Sequence, residues 1–588
     1  MTEKKIKISQ AKGRPMLQWI GKEPLEFVKS FPAQLVETFN QDKKSKPLEN
    51  PTFEDLEKNW QNLIFHGDNK EVLGCLLANG FRGEIDLIYI DPPFDSGADY
   101  IRKIELRGIK DKEKIEGEKH SLGEQVQYFD IWSNDNYLQY MYERLQLMKE
   151  LLSDKGSFFL HCDWHKVHHL RAIMDEIFGQ DNFRNEIIWF YPNTSGRAVN
   201  FFPRKHDVIL FYTKSKNAIF NKEEAQIPVS EGTKSRAKYA RIMGGRTYEN
   251  KDYSDTHQTK LIEDVWNIAG AFTGSENVQY PTQKPEKILD LIIGTCSKEN
   301  SIILDCFMGS GTTQAVAQKL NRRWIGADIN KGSIQTTIKR LQKIIKNQKD
   351  IKYSSFSHYK VNDYDLQLLR TEAIELAIQH LGIERNKTDL FFEGILGNNL
   401  VKIIDFNHPL TLLDIQLIQD ELKKRPNDNR DVTIVCLGKE IAIDSWVETY
   451  NKKHSVNKFN VIELRTDDKY GKFLIHKPTQ SKVDIKRKGE KAIIEIKGFI
   501  SPSIIERLND KEKLIKVKIP DFRSMIDVIL IDNNYNGKVF NITHSDVPEK
   551  KNDLVEGKYE VEIPKKETTI AVKIIDMLGE EVLIIKEI

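Results

Sequence analysis

The sequence predicts an α/β protein with a doubly wound parallel sheet, an inserted region, a smaller α/β domain and a C-terminal β-sandwich. Three observations carry this. Short apolar runs closed by Pro, Gly or Asp alternate with amphipathic helices from Trp60 to Tyr212, and the same rhythm returns from Glu286. Residues 213–265 interrupt it with charge. Residues 511–588 alternate apolar and polar positions between Gly, Asn and Asp turns.

Residues 1–59 read as a basic arm ending in an acidic stretch. In 60–212, Ile85–Ile90 (IDLIYI) is a buried strand stopped by a proline pair. Leu138, Met141, Leu145, Met148 and Leu152 recur at helical spacing, so a helix spans Asn136–Leu152. Ser157–His161 is a second buried strand, and Val167–Phe178 is a helix ended by Gly179. In 266–352, a helix runs to Cys296. The strand Ile302–Leu304, a glycine-rich turn, a helix to Leu320, the strand Trp324–Ala327 and the helix Ile334–Lys349 follow. Residues 353–510 repeat α/β signals: strands Leu400–Ile404 and Val432–Leu437, helices Leu410–Lys424 and Ser445–Lys452.

Composition narrows the function classes. The 588 residues suggest roughly three to five domains. Lys+Arg 89 against Asp+Glu 87 leaves a net charge of +2, so a uniformly cationic binder is excluded and any nucleic-acid contact must be local. Hydrophobic residues at 39% suffice for cores. The five scattered cysteines form no CxxC pair, which argues for a reducing interior rather than a disulfide framework or cysteine-zinc site. The start, MTEKKIKISQAKGR, has no apolar stretch after its charges, and no run is long enough to span a membrane. A cytoplasmic protein without membrane contact is expected.

Two turns carry chemistry. Asp91-Pro92-Pro93-Phe94 closes the strand Ile85–Ile90. Its prolines remove donors and stiffen the chain, leaving carbonyls and a carboxylate as a fixed array of acceptors. With an aromatic beside it, such an array suits a flat group bearing an amino donor, such as a nucleobase edge. The second turn, Asp305 to Thr313 (DCFMGSGTT), joins a strand to a helix N-terminus, where glycines let backbone approach a ligand. No Gly-Lys-Ser/Thr follows, so it is not a P-loop. Asp328 ends the next strand, where an acid can chelate a ribose diol. A nucleoside-bearing cofactor fits this half.

Taken together, HGDN (His66–Asn69), DPPF (Asp91–Phe94), YPTQKP (Tyr280–Pro285), DCFMGSGTT and GADIN (Gly326–Asn330) resemble the amino-methylating DNA methyltransferases. The likeness spans roughly residues 60–345 and is strongest to adenine-N6 enzymes and to the modification subunits of type III restriction systems. The DPPF-type motif precedes the FxGxG-type motif, the permuted order called the β class. The resemblance implies a Rossmann-like methyltransferase domain with S-adenosylmethionine as cofactor. It implies catalytic roles for Asp91, Pro92, Pro93 and Phe94, the last standing where the family more often has Tyr. It places Asp305, Phe307, Gly309 and Gly311 along the cofactor, Asp328 on its ribose, Asp68 near its adenine and Lys284 near its methionine end. The insert 213–265 then occupies the place of a target-recognition region, with Lys234, Arg236, Lys238, Arg241 and Arg246 suited to phosphate contact. Double-stranded DNA is the expected substrate, with the target base flipped out. A separate restriction subunit and a homodimer are the expected partners. Cytosine-N4 methylation is the alternative, although that group more often has Ser at the position of Asp91. A non-catalytic DNA-binding subunit is a further one.

Two other clusters are weaker. His161, His165, His168 and His169 crowd Cys162 and Asp163, but Asp163 capping the following helix, with the histidines along its exposed face, explains them without a metal. Asp484 with Glu495-Ile496-Lys497 resembles a nuclease pattern. Alternation with Val483, Ile485 and Ile494 makes those charges the solvated face of a hairpin.

Overall fold

In the computed structural model the described residues are 4–9, 16–19, 21–39, 48–93, 99–105, 107, 121–129, 134–191, 202–228, 242–243, 246–247, 259–270, 276–278, 280, 282–347, 352–361, 378, 381–385, 389, 391–404, 410–436, 438–439, 442–463, 479–502, 504–505, 519, 521–548, 553–564, 567–577 and 579–588. They form two compact units, 1–362 with 479–588, and 363–478.

The first unit is organised by one mixed sheet of 11 strands. In chain order these are β1 (Ala33–Phe39), β2 (Asn62–His66), β3 (Ile85–Ile90), β4 (Leu152–Cys162), β5 (Phe183–Phe190), β6 (His206–Thr213), β7 (Val265–Asn267), β8 (Ile302–Asp305), β9 (Arg323–Asp328), β10 (Phe356–Val361) and β11 (Phe540–Ile542). Across the sheet they lie β7-β5-β6-β4-β3-β8-β9-β2-β10-β1-β11. The run from β4 to β10 is parallel throughout, and β6 and β1 pair antiparallel to its two edges. Among the described residues, six helices of eight residues or more serve this sheet: α1 (Asn69–Ala78), α2 (Asn134–Leu151), α3 (Val167–Phe178), α4 (Glu286–Cys296), α5 (Thr312–Lys319) and α6 (Lys331–Asn347).

Alternation along each central strand feeds two cores. Ile88, Ile90 and Leu304 pack with Leu73 of α1, Leu145 of α2 and Ile173 of α3. Leu87, Tyr89 and Ile303 pack with Leu289 of α4, Val316 of α5 and Leu341 of α6. Strands buried on both faces have to be apolar almost throughout, which is why IDLIYI and IILD read as strands. β3 and β8 are adjacent and parallel, yet the chain leaves β3 toward β4 and leaves β8 toward β9, on opposite sides. Their carboxyl ends therefore open a crevice at a topological switch point.

Several boundaries differ from the sequence expectation. The segment read as an arm, 1–59, contributes β1, and β10 lies beyond the expected end of the cofactor half at 352. β1 pairs with β10 more than 300 residues away, so no local pattern announces it. The hairpin Gln480–Lys488/Lys491–Ile500, placed by sequence in the domain ending at 510, pairs with Lys558–Glu562. Its Ile485, Ile494 and Ile496 share one core with Ile529 and Ile531 of the four-stranded sheet built on Ile526–Asp532. On the other face Asp484 accepts ion pairs from Lys486 at 2.9 Å and Lys497 at 3.0 Å. β11, from the same terminal segment, adds to the main sheet beside β1.

The second unit has a five-stranded sheet in which Asn399–Ile403, Val432–Cys436 and Phe459–Glu463 run parallel. The helix Leu412–Lys423 starts at a capping box between Thr411 and Asp414. Among the described residues no helix is long and apolar enough to cross a membrane.

Candidate active site

The crevice at the carboxyl ends of β3 and β8 holds a cavity of about 300 Å³. Asp68, Asp91, Pro92, Pro93, Lys284, Asp305, Phe307, Gly309 and Asp328 all line it. Residues from five separate segments thus meet in one chamber.

The glycine turn between β8 and α5 is built by its carboxylates. Asp305 is buried; its Oδ1 accepts from Phe307 N–H at 3.0 Å and its Oδ2 from the Thr313 hydroxyl at 2.6 Å. Burial pushes this carboxyl up to about 7, against those two hydrogen bonds. Asp328, at the end of β9, accepts from Gly309 N–H at 2.8 Å and Asn330 N–H at 2.8 Å, and burial raises it to about 6. Gly311 does not line the cavity. It starts α5 at φ +69°, and a Cβ there would stand 2.5 Å from Thr337 Oγ1. Gly309, at φ +52°, faces the Tyr280 ring, 3.6 Å from where its Cβ would be. Arg340 closes the turn from behind, donating to Ser310 O at 3.2 Å and Thr312 Oγ1 at 2.9 Å while pairing with Glu286 at 2.8 Å.

Asp68 caps α1 through Lys70 N–H at 2.8 Å and accepts both oxygens' worth of contact from Arg144, at 2.8 and 3.0 Å. Arg144 is buried, stacks on the Tyr140 ring at 3.5 Å and also donates to Asn69 Oδ1. Tyr140 and Asn69 line the same cavity. Sequence reasoning missed Arg144, because nothing local marks a helix arginine that reaches another element.

On the other wall, Asp91 Oδ2 accepts from Lys284 Nζ at 2.5 Å. The resemblance placed Lys284 near a cofactor tail; its nearest charged partner is instead the Asp91 carboxylate. Asp91 Oδ1 is buried and has no hydrogen-bond donor among the described residues. A buried acceptor left open is costly, and His161 Nδ1 stands 3.8 Å from it.

Phe94, Lys234, Arg236, Lys238 and Arg241 lie outside the described residues. Arg246 sits in a two-residue strand paired with Ile242–Met243. The histidine cluster is organised differently from the sequence expectation. α3 begins after Lys166 with no side-chain cap, and Asp163 instead accepts from His165 N–H at 2.9 Å and faces its Nδ1 at 2.5 Å, closing a turn ahead of the helix. His168 is exposed, but His165 and His169 are half-buried. His161 is fully buried at the end of β4, 3.8 Å from Asp91.

A family model described as DNA methylase matches residues 85–339. The type II methyltransferase M1.MboII of Moraxella bovis is 30% identical over 205 residues, covering 34% of this chain and 76% of that protein. The DNA adenine methyltransferase YhdJ of Escherichia coli is 26% identical over 280 residues, covering 47% and 82%. The Mod subunit of the type III restriction-modification enzyme EcoP15I, also of Escherichia coli, is 24% identical over 289 residues, covering 45% and 42%.

Proposed function

The chain belongs to the DNA methylase family, and on that premise we propose that it methylates the N6 amino group of adenine in double-stranded DNA, using S-adenosylmethionine, as the modification component of a restriction system. The observation that carries this reading is Asp91, which lines the same cavity as the Asp305–Thr313 turn and whose buried Oδ1 meets no donor among the described residues.

The residues present fit that cofactor. Asp328 ends β9 on the wall of the cavity, where a ribose diol would lie, Gly309 leaves room that a Cβ would fill, and Asp68 and Phe307 border the same space. Bound there, S-adenosylmethionine supplies an electrophilic methyl on a sulfonium. The chain's own task is to make a poor nucleophile reactive. An adenine amino nitrogen shares its lone pair with the ring. Asp91 Oδ1 and the Pro92 carbonyl accept its two hydrogens, draw the lone pair onto nitrogen and orient it. Lys284 fixes the carboxylate by holding its other oxygen, and Pro93 stiffens the turn. Phe94 stacks on the flipped base. Lys234, Arg236, Lys238, Arg241 and Arg246 neutralise phosphates in the target-recognition region.

Adenine is preferred to cytosine because residue 91 is Asp, and because a relative is named as adenine-specific. The restriction activity resides on a separate subunit, by analogy with the Mod relative. The chain acts in the cytoplasm as a homodimer, which sedimentation of the purified protein tests directly.

Single-molecule sequencing of DNA from cells expressing the chain should report N6-methyladenine in one sequence context. N4-methylcytosine would replace the base assignment, and an unmodified genome together with no tritium transfer from labelled cofactor would remove the enzyme reading altogether.

A further inference from the structure

His161 has no part in the mechanism above, yet the site converges on it. Its Nε2 lies 3.3 Å from Asp207 Oδ2, and its Nδ1 lies 2.9 Å from the Tyr89 hydroxyl and 3.8 Å from Asp91 Oδ1. Trp189 packs edge-on against the ring at 5.5 Å. The second oxygen of Asp207 accepts from the Tyr191 hydroxyl at 3.1 Å, so that carboxylate is fixed facing the imidazole. The ionisable groups around the ring are Tyr89 and Asp91 from β3 and its turn, and Cys162 and Asp163 from β4 itself. Asp207 from β6, Tyr191 after β5 and Lys284 before α4 complete the set. Because Nε2 faces a carboxylate, the neutral ring carries its proton there, and Nδ1 accepts from Tyr89. A carboxylate on the far nitrogen is also what stabilises an imidazolium. Packing a histidine into a core requires no such pair of carboxylates.

We propose that His161 is the positioning and proton-accepting partner of Asp91 in methyl transfer, an inference that rests on the methyltransferase reading. As the N6 lone pair bonds to the methyl carbon, the carbon–sulfur bond breaks and its electron pair stays on sulfur. The amino nitrogen is left positive with one proton too many. Asp91 Oδ1 takes that proton, and the neutral Nδ1 of His161 receives it from Asp91 as the Tyr89 hydroxyl turns from donor to acceptor. The charge comes to rest as an imidazolium opposite Asp207, the Asp91 carboxylate is restored, and the proton returns to water after the product leaves. Binding of the base closes the 3.8 Å gap, as catalytic contacts commonly tighten in the reacting complex.

The test is single-turnover methyl transfer to DNA between about pH 5 and about pH 9, with cofactor binding measured alongside. The wild-type rate should fall on the acid side as His161 becomes protonated before the step. His161→Gln, which can still accept from Tyr89 and donate to Asp207, should bind cofactor as wild type does. It should lose about 100-fold in rate, together with the acid limb. In the cofactor-free chain, the histidine NMR resonance missing from His161→Gln should titrate at the midpoint of that limb. Asp207→Asn should move both midpoints to lower pH, and it carries the test if His161→Gln fails to bind cofactor. A His161→Gln chain with wild-type rate and limb, or Asp207→Asn midpoints that do not move, overturns the proposal while leaving the methyltransferase intact. No transfer by the wild-type chain at any pH overturns the reading beneath it as well.

Discussion

Four carboxylates line the cavity, and three of them, Asp91, Asp305 and Asp328, are held in two different ways. Asp305 and Asp328 have every oxygen engaged by a backbone N–H or a hydroxyl, from their own turns or, for one Asp328 oxygen, from Gly309 of the glycine turn. Asp91 is held on one oxygen by a lysine from a distant segment, and its other oxygen meets no donor among the described residues. The first pair spends its hydrogen-bonding capacity on making a loop. The third is fixed in direction, and its other oxygen is kept open, which is what the proposed acceptance of a substrate proton requires. The same residue type in the same chamber is thus architectural or chemical according to what its second oxygen meets.

The sharpest way to break this comparison is to remove charge at each position. Asp91→Asn should lower single-turnover methyl transfer about 1,000-fold, with cofactor affinity little changed and unfolding free energy within about 1 kcal/mol of wild type. If its unfolding moves more than its rate, Asp91 belongs with the structural pair.

Asp305→Asn should show its effect in stability and through pH. Burial raises the folded carboxyl to about 7 from 3.8, so the folded state binds the proton more tightly than the unfolded one. The wild-type advantage over Asn is therefore complete below about pH 4 and is lost as pH rises through about 7, by up to about 4 kcal/mol. Urea unfolding of both proteins across that window measures it, and a difference independent of pH would mean that the carboxyl is not buried as described.

Gly311→Ala tests whether the turn needs its close approach to α6. The left-handed backbone and the Thr337 contact together should cost about 3 kcal/mol. Gly83→Ala is the control, because it has φ +77° with nothing within 4 Å, and should lose only about 1 kcal/mol. Equal losses would remove the packing argument. The smallest effect is expected at Arg144→Leu, which frees Asp68 and should weaken cofactor binding about tenfold by calorimetry, with the Asp91 side unaffected.

Much of this site was legible because its parts are local. Asp91-Pro92-Pro93 and the Asp305–Thr313 turn announce themselves by residues adjacent in sequence, and each ends a strand whose apolar run is unmistakable. Their side-chain partners were not legible. His161 read as one of four crowded histidines, and Asp207, 46 residues on, carried no signal until β4 and β6 paired in register Ile209 to His161. Asp163 read as a helix cap three residues too soon, because an Asx turn and a helix N-cap share the same residue preference.

The order and spacing of the motifs determined by themselves that two turns would lie at strand ends and that one would suit an amino-bearing base and the other a nucleoside. Those choices rest on backbone geometry, which a few consecutive residues dictate. Which oxygen of Asp91 stays open, which cation holds the other, and which terminal segments add the outer strands were decided only by folding. Those contacts join residues up to hundreds of positions apart, and their free energy depends on distances that no local pattern encodes.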